Sequence, residues 1–214
     1  MTDEGRFRDV SRITWAEPGD GAAVADRIAA EVAKPGRKRI AVPGGSTPIR
    51  VFDLLAGRAL DWSDVTLTLT DDRQVPDDHE ASNYRKLSAA LGHSGATIER
   101  LVEGGRVERF DLVWLGMGAD GHIASLFPHM IAEIRPGRTV IATTPIPLPP
   151  EAPFPRLTLN RRALCAAKEI IIVITGDDKR RVIEKALRSN DASYPVSDVL
   201  HGCGAPVTIY WSKG

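Results

Sequence analysis

The residues best suited to chemistry lie in a glycine-rich turn that ends in a histidine. The segment 116–122 has the sequence Gly-Met-Gly-Ala-Asp-Gly-His and follows an apolar run. Histidine titrates near neutral pH and is the usual general base, and a neighbouring carboxylate can fix its tautomer. We predict that His122 is a general base and that Asp120 orients it. A helix or turn beginning at 123 would place His122 at its N-terminal end. Most lone histidines are structural, but the glycine-rich surroundings favour a catalytic one.

A second turn, at 43–48, has residues suited to binding an anion. Gly44 and Gly45 let the backbone approach an anion closely, and Ser46 and Thr47 add hydroxyl donors. The helix predicted directly after them would point its first amides at the same place. The segment matches neither a Walker loop nor a dinucleotide motif, so a small phosphate ester fits better than a nucleotide. An ordinary helix-capping turn explains the segment equally well.

A third turn brings charged side chains to the start of a polar loop predicted for 71–82. Asp71, Asp72 and Arg73 can position hydroxyls and an anionic or developing oxyanion group. A solvated charge cluster is the alternative. Asn83 precedes a predicted helix and has the position of a helix cap.

Two further cations follow apolar or proline-rich segments. Arg156 ends a proline-rich stretch, and Lys179 lies after a predicted strand. Either side chain can pair with a phosphate, and either can equally be a solvated surface charge. The five histidines form no i, i+4 pair with a glutamate, and no Gly-x-Ser-x-Gly sequence occurs. We therefore predict neither a metal site nor a serine nucleophile.

The turns follow elements that alternate between strands and helices. This alternation predicts an α/β fold with a mostly parallel, Rossmann-like sheet, whose ligands bind beyond the carboxyl ends of the strands. Six prolines in 144–155 predict an extended surface loop within the domain. The predicted helices are 22–33, 48–55, 83–91 and 179–188, and the predicted strands are 39–43, 65–70, 110–115, 169–175 and 207–211.

Length and composition indicate one globular domain over 1–214, which is 43% apolar and 26% charged. Twenty-eight basic side chains balance twenty-eight acidic ones, which argues against nucleic-acid or membrane-surface partners but not against a small anion. No apolar run approaches the roughly 20 residues of a membrane span, and no signal peptide is evident. We predict a soluble, cytoplasmic protein in which Cys165 and Cys203 are reduced thiols.

Taken together and in order, these turns resemble those of the 6-phosphogluconolactonase family. The resemblance implies hydrolysis of 6-phospho-D-glucono-1,5-lactone to 6-phospho-D-gluconate in the oxidative pentose phosphate pathway, in the cytosol and with no metal or organic cofactor. It also implies the three-layer α/β/α sandwich of glucosamine-6-phosphate deaminases and ribose-5-phosphate isomerases. The matching segments run from about residue 40 to 211 and include 43–48, 71–76, 82–83, 116–128, 155–159 and 175–179.

The resemblance also implies roles for individual residues. His122 takes the position of the family's proposed base, Asp120 is placed to orient or polarise the site, and Arg73 takes the position of an active-site arginine. The usual Asp-Glu-Arg of the family is Asp71-Asp72-Arg73 here, which leaves the role of the second acid open. The phosphate contacts that the resemblance implies are Gly45, Ser46, Thr47, Arg156 and Lys179.

Two alternatives remain at this point. A sugar-phosphate isomerase or deaminase has the same fold, but the deaminases have a glutamate five residues after the histidine, where this chain has Phe127. A non-catalytic sugar-phosphate sensor is disfavoured because the chain offers no segment for a helix-turn-helix. The expected partner is a small sugar-phosphate lactone, and the expected state is a monomer or weak homodimer.

Overall fold

A parallel sheet lies at the centre of the structure, a computed structural model that describes residues 10–130, 137, 139–150, 152–189, 191 and 193–214. Within those residues the sheet has seven strands, and every neighbouring pair is parallel. In spatial order the strands are β1 (Ile13–Trp15), β10 (Val207–Ser212), β9 (Ala167–Thr175), β6 (Phe110–Gly116), β2 (Lys38–Val42), β3 (Val65–Leu69) and β5 (Thr97–Glu99).

Helices cover both faces of this sheet, after a short 3-10 helix at Val10–Arg12. In β9, the side chains of Ile170 and Ile172 enter one apolar core and the side chain of Ile171 enters the other. A strand buried on both faces is continuously apolar for this reason. No helix among the described residues is long and apolar enough to cross a membrane. The helices are α1 (Gly21–Val32), α2 (Ser46–Ala56) and α3 (Asn83–Leu91) on one face, and α4 (Arg161–Cys165), α5 (Asp177–Arg188) and α6 (Pro195–Gly202) on the other.

A small antiparallel sheet stands at the carboxyl end of the large one. Among the described residues it contains β4 (Asp71–Arg73), β8 (Arg156–Leu159) and β7 (Val140–Thr143), in that order. Thr70 joins the two sheets, because its N–H donates to Val42 O at 2.8 Å and its carbonyl accepts from Leu159 N at 2.8 Å. The chain therefore crosses from one sheet to the other between β3 and β4.

The structure confirms the three-layer α/β/α fold and all nine predicted elements. Helix α3 has the predicted bounds, whereas α2 and α5 each begin two residues earlier than predicted. The prediction that 71–82 is entirely loop is wrong at Asp71–Arg73, because these polar residues pair with β8. Strands β1, β5, β7 and β8 and helices α4 and α6 were not predicted. The described part of 144–155 contains no helix or strand, as predicted.

The prediction that both cysteines are reduced thiols is wrong. Cys165 at the end of α4 and Cys203 after α6 form a disulfide. The two helices pack against each other, with Arg161 paired to Asp198 beside the bridge. A separation of 38 residues has no recognisable spacing, so only this tertiary contact reveals the pair.

Candidate active site

A cavity of about 380 Å³ opens where the carboxyl ends of the central strands meet the small sheet. Val173 and Thr175 of β9 and Trp114 of β6 line its wall. The position agrees with the general location of ligands in open α/β sheets. The predicted site residues that line the cavity are Gly44, Gly45, Thr47, Asp71, Arg73, His122, Arg156 and Lys179.

The N-terminus of α2 forms one end of the cavity. Gly45 is its N-cap residue, with φ +110°, and no side chain that the structure describes caps the helix. The first amides of an uncapped helix are donors without intrahelical partners, and they favour an anion. Since α2 begins at Ser46, Ser46 and Thr47 belong to the first turn of the helix. The side chain of Ser46 lies outside the described part of the structure.

Position 44 requires a glycine because the side chain of Asn83 packs directly against the backbone there. A Cβ atom at Gly44 would lie 2.0–2.3 Å from the side-chain amide of Asn83. That amide accepts from Arg73 Nη1 at 2.5 Å and donates to Asp71 O at 3.2 Å. The role of cap that we expected for Asn83 belongs instead to Ser82, whose Oγ accepts from the amide of the third helical residue. Asn83 therefore links the glycine turn to Arg73.

His122 and Asp120 form a hydrogen-bonded pair in the turn after β6. Nδ1 of the imidazole lies 2.6 Å from Asp120 Oδ1, and the His122 N–H donates to the same oxygen at 3.1 Å. An ionised carboxylate can only accept, so Nδ1 is the protonated nitrogen and Nε2 is left as an acceptor. Asp120 is not one of the lining residues, but it contacts His122, which is.

The glycines predicted to be important in this turn allow the histidine to pack on its own loop. A Cβ at Gly118 would lie 2.2 Å from the imidazole Nδ1 and Cε1. Gly121 has φ +81° and packs against the ring of Tyr194. The ring of Phe127 covers the imidazole at 4.7 Å between centroids. The segment after His122 forms a turn rather than a helix.

The two acids of β4 have different surroundings. Asp71 lines the cavity, and its Oδ2 accepts from Ser125 Oγ at 2.6 Å. Asp72 faces the start of α3, where its carboxylate accepts from the amides of Asn83 and Tyr84 at 2.7 and 2.9 Å. Burial raises the pKa of Asp72 above its ordinary value, against the opposing effect of these amides. The second acid is thus a helix-capping group outside the cavity.

Two cations, Arg156 and Lys179, line the cavity. Arg156 is 4% exposed, and its Nη2 donates to Ala152 O at 2.9 Å. Lys179 is half-buried in the first turn of α5. Burial lowers the pKa of the Lys179 ammonium below its ordinary value, and the Asp120 carboxylate partly offsets this shift. Both side chains are therefore placed to meet an anion in the cavity.

Sequence reasoning missed three side chains at this site. Ser125, Phe127 and Asn83 line the cavity, and each contacts a predicted site residue. Ser125 and Phe127 follow His122 within five residues, so their closeness in sequence was an available signal. Asn83 lies in the family-like segment 82–83, but its place near a helix start indicated only a cap. Among the described residues, no group of three or more His, Cys, Asp and Glu side chains is arranged to hold a metal ion.

A parallel α/β sandwich with a cavity at the carboxyl ends of its strands defines the general class of this protein. A family profile described as glucosamine-6-phosphate isomerases/6-phosphogluconolactonase matches residues 21–99 and 90–211. The chain belongs to this family.

Individual relatives agree with the family assignment. A 6-phosphogluconolactonase from Rhizobium meliloti (strain 1021) is 37% identical over 88% of this chain and 90% of its own length. The crystal structure of a 6-phosphogluconolactonase from Shewanella baltica OS155 has a TM-score of 0.78 at 30% identity, covering 94% of this chain and 97% of the other. A monomeric glucosamine-6-phosphate deaminase shares the fold, with a TM-score of 0.71 at 18% identity over 93% of this chain and 96% of its own.

Proposed function

We propose that this chain hydrolyses 6-phospho-D-glucono-1,5-lactone to 6-phospho-D-gluconate, with His122 as the general base. The observation that supports it best is that the His122–Asp120 pair and the uncapped N-terminus of α2 open into one cavity. One group suits activation of water and the other suits a phosphate. We call His122 with Asp120 the reacting end of the cavity.

At the reacting end, Nε2 of His122 accepts a proton from a water molecule as its oxygen attacks the lactone carbonyl at C1. Asp120 keeps Nδ1 protonated through the 2.6 Å hydrogen bond and stabilises the imidazolium that forms. A positioned base of this kind typically contributes about 10²–10⁴-fold to the rate. Because a δ-lactone also hydrolyses unaided, orientation and electrostatics suffice without a covalent nucleophile.

The attack leaves negative charge on the former carbonyl oxygen. Arg73 lines the cavity and is held by Asn83, so its guanidinium is a rigid partner for that oxyanion. When the tetrahedral centre collapses, the bond from C1 to the ring oxygen breaks and His122 returns the proton to that oxygen. Asp71, on the cavity wall, is suited to orient a sugar hydroxyl. The step is redox-neutral and requires no cofactor.

The phosphate binds at the other end, which we call the phosphate end: Gly44, Gly45, Ser46, Thr47, Arg156 and Lys179. Backbone amides at the start of α2 donate to the phosphate oxygens, and the hydroxyl of Thr47 adds a further donor. Arg156 and Lys179 supply positive charge in a partly buried setting, where a charge-assisted hydrogen bond is strong.

We further propose that the chain is one domain that acts in the oxidative pentose phosphate pathway in the cytoplasm, as a monomer or weak homodimer. Its partner is the small sugar-phosphate lactone rather than a nucleic acid or a membrane. The family relationship supports the pathway. The balanced charge supports the absence of polyanionic partners.

Proton release tests the proposal directly, because opening the lactone produces a carboxylic acid. Freshly prepared 6-phosphogluconolactone is added to the wild-type protein, His122→Ala and Arg156→Ala, and titrant uptake at constant pH is recorded. We expect fast hydrolysis by the wild type, a low kcat for His122→Ala and a high KM for Arg156→Ala. Wild-type protein that does not exceed spontaneous hydrolysis would overturn the proposal.

A further inference from the structure

The serine three residues after His122 is buried and is hydrogen-bonded through three of its groups. Ser125 is 1% exposed, and its hydroxyl donates to Asp71 Oδ2 at 2.6 Å. Its N–H donates to Thr158 Oγ1 at 3.1 Å, and its carbonyl accepts from Thr143 Oγ1 at 3.2 Å. No other part of the His122 turn is shown to have this many bonds to distant segments.

The three partners come from the three strands of the small sheet, one from each. The same sheet contains Arg73 and Arg156, which face the cavity. The His122 turn itself follows β6 of the large sheet, and Val196 N supports it from the other side by donating to Gly121 O at 3.0 Å. Ser125 is therefore the point where the reacting end is tied to the small sheet.

The turn needs such a tie because one of its residues has an unfavourable backbone conformation. Ala124, between the histidine and the serine, has φ +47°, a left-handed conformation that residues with a side chain rarely adopt. Conformations of this kind persist where surrounding contacts impose them. The hydrogen bond from the Ser125 hydroxyl to the Asp71 carboxylate is a charge-assisted, partly buried contact that can impose this conformation.

We infer that Ser125 is a positioning residue. The hydrogen bond from its hydroxyl to Asp71 keeps the His122 imidazole aligned with Arg73 across the cavity. Neither the hydroxyl nor Asp71 Oδ2 needs to touch the reacting atoms for this role. The kinetic part of the inference rests on the proposed lactone hydrolysis, whereas the structural part does not.

Kinetics of Ser125→Ala give the first test. We expect kcat to fall on the order of 10- to 100-fold, the range for loss of a hydrogen bond to a charged group, while KM stays nearly constant. Ser197→Ala is the matched control, since Ser197 is equally buried and its hydroxyl has no partner among the described residues. We expect it to leave both constants unchanged. A rise in KM with unchanged kcat for Ser125→Ala would overturn the inference.

A double-mutant cycle tests whether the serine acts through the aspartate. Once Asp71→Ala has removed the acceptor, removing the Ser125 hydroxyl should change kcat very little, because residues that act as a pair are non-additive. Fully additive losses in kcat would contradict the inference. If Ser125→Ala does not fold, Ser125→Cys replaces it under the same criteria. A thiol fills a similar space, but it is a weak donor and so weakens the hydrogen bond to Asp71.

Nitrogen NMR of the imidazole separates this inference from the proposed function. With ¹⁵N-labelled histidine in the ligand-free protein, we expect the His122 signals to move in Ser125→Ala and to stay in place in Ser197→Ala. A wild type without lactonase activity would refute the proposed function and leave this measurement intact. Unmoved His122 signals in folded Ser125→Ala would refute the inference whatever the activity.

Discussion

The two ends of the cavity differ in the kind of group they present, backbone amides of a helix at one end and side chains of a turn at the other. The phosphate end uses backbone amides at the start of α2, a helix anchored on the parallel sheet, with Arg156 and Lys179 mostly or partly buried beside it. The reacting end uses side chains of a turn, and His122 and Asp120 remain 32% and 49% exposed. In the proposed mechanism, regular secondary structure provides the donors for binding, whereas the base depends on side-chain contacts of a loop.

This contrast teaches that binding and chemistry should respond separately to substitution. Changes at the phosphate end should weaken ground-state and transition-state binding equally and raise KM. Changes at the reacting end remove interactions that form only in the transition state and should lower kcat. Four predictions test this separation, beginning with the largest expected effect.

Removing the base should have the largest effect. His122→Ala should lower kcat by about 10²–10⁴-fold, because water then loses its positioned proton acceptor. KM should change little, since the phosphate end is intact. Proton-release kinetics at constant pH measure both constants. His93→Ala is the control, because His93 is an exposed histidine just after α3. An unchanged kcat would remove His122 from the mechanism.

Crowding the phosphate end should raise KM. In Gly44→Ala the new methyl group would overlap the Asn83 amide, which lies 2.0–2.3 Å from the position of the added Cβ. Overpacking of this kind costs about 1–3 kcal/mol, equivalent to roughly 5- to 150-fold in KM if it falls on binding. Gly204→Ala is the control, because a Cβ there meets nothing within 4 Å. Because Asn83 also holds Arg73, a smaller fall in kcat should accompany the rise in KM. A fall in kcat at constant KM would show that the two ends are not separable.

The pH dependence of KM should show the loss of charge of the Lys179 ammonium. Burial lowers the pKa of this ammonium, so it loses its charge at a lower pH than an ordinary lysine does. As pH rises through that lowered pKa, the attraction for the phosphate weakens, and KM should increase before other lysines deprotonate. Lys179→Arg should shift this increase to higher pH, because a guanidinium stays charged. Phosphate affinity measured by calorimetry gives an independent readout, and a pH-independent affinity would contradict the assignment.

The disulfide lies outside both ends and should affect neither constant. Replacing Cys165 and Cys203 with serine should leave kcat and KM unchanged while lowering the free energy of unfolding by about 2–4 kcal/mol, the usual range for a bridge of this separation. Urea unfolding with and without a reducing agent measures the difference. The wild type should lose stability on reduction, and the double variant should not respond. A fall in kcat would contradict this prediction and show that α4 and α6 affect the reacting end.

Five strands of the large sheet, β2, β3, β6, β9 and β10, were predictable from sequence, and so were the site-bearing turns after β2, β3, β6 and β9. Runs such as 169–175 are apolar because both faces of the strand are buried, and this pattern is local. The small sheet was not predictable, because its strand at Asp71–Arg73 is polar and its strand at Arg156–Leu159 directly follows prolines. Pairing with distant strands, rather than local propensity, makes these residues extended.

The candidate site followed the same division. Eight of the cavity-lining residues could be named from their turns, but Ser125, Phe127, Asn83 and the contacts between turns could not. Asn83 against Gly44, Ser125 on Asp71 and the bond between the two cysteines all join residues that are far apart in sequence. Such pairs depend on how the helices and sheets pack. Without homologous sequences, one chain contains no signal for them.

The strand order also has a consequence for how the protein is made. Strand β1 pairs with β10, so Ile13 finds its partner at Val207, near the other end of the described chain. During synthesis, β1 cannot pair until β10 has left the ribosome, and until then one edge of β9 has no neighbouring strand. Contacts between such distant residues form slowly. Strand β10 should therefore be the last piece of the large sheet to fold on the ribosome, and the growing chain should be most prone to edge-to-edge aggregation until β10 pairs with β9.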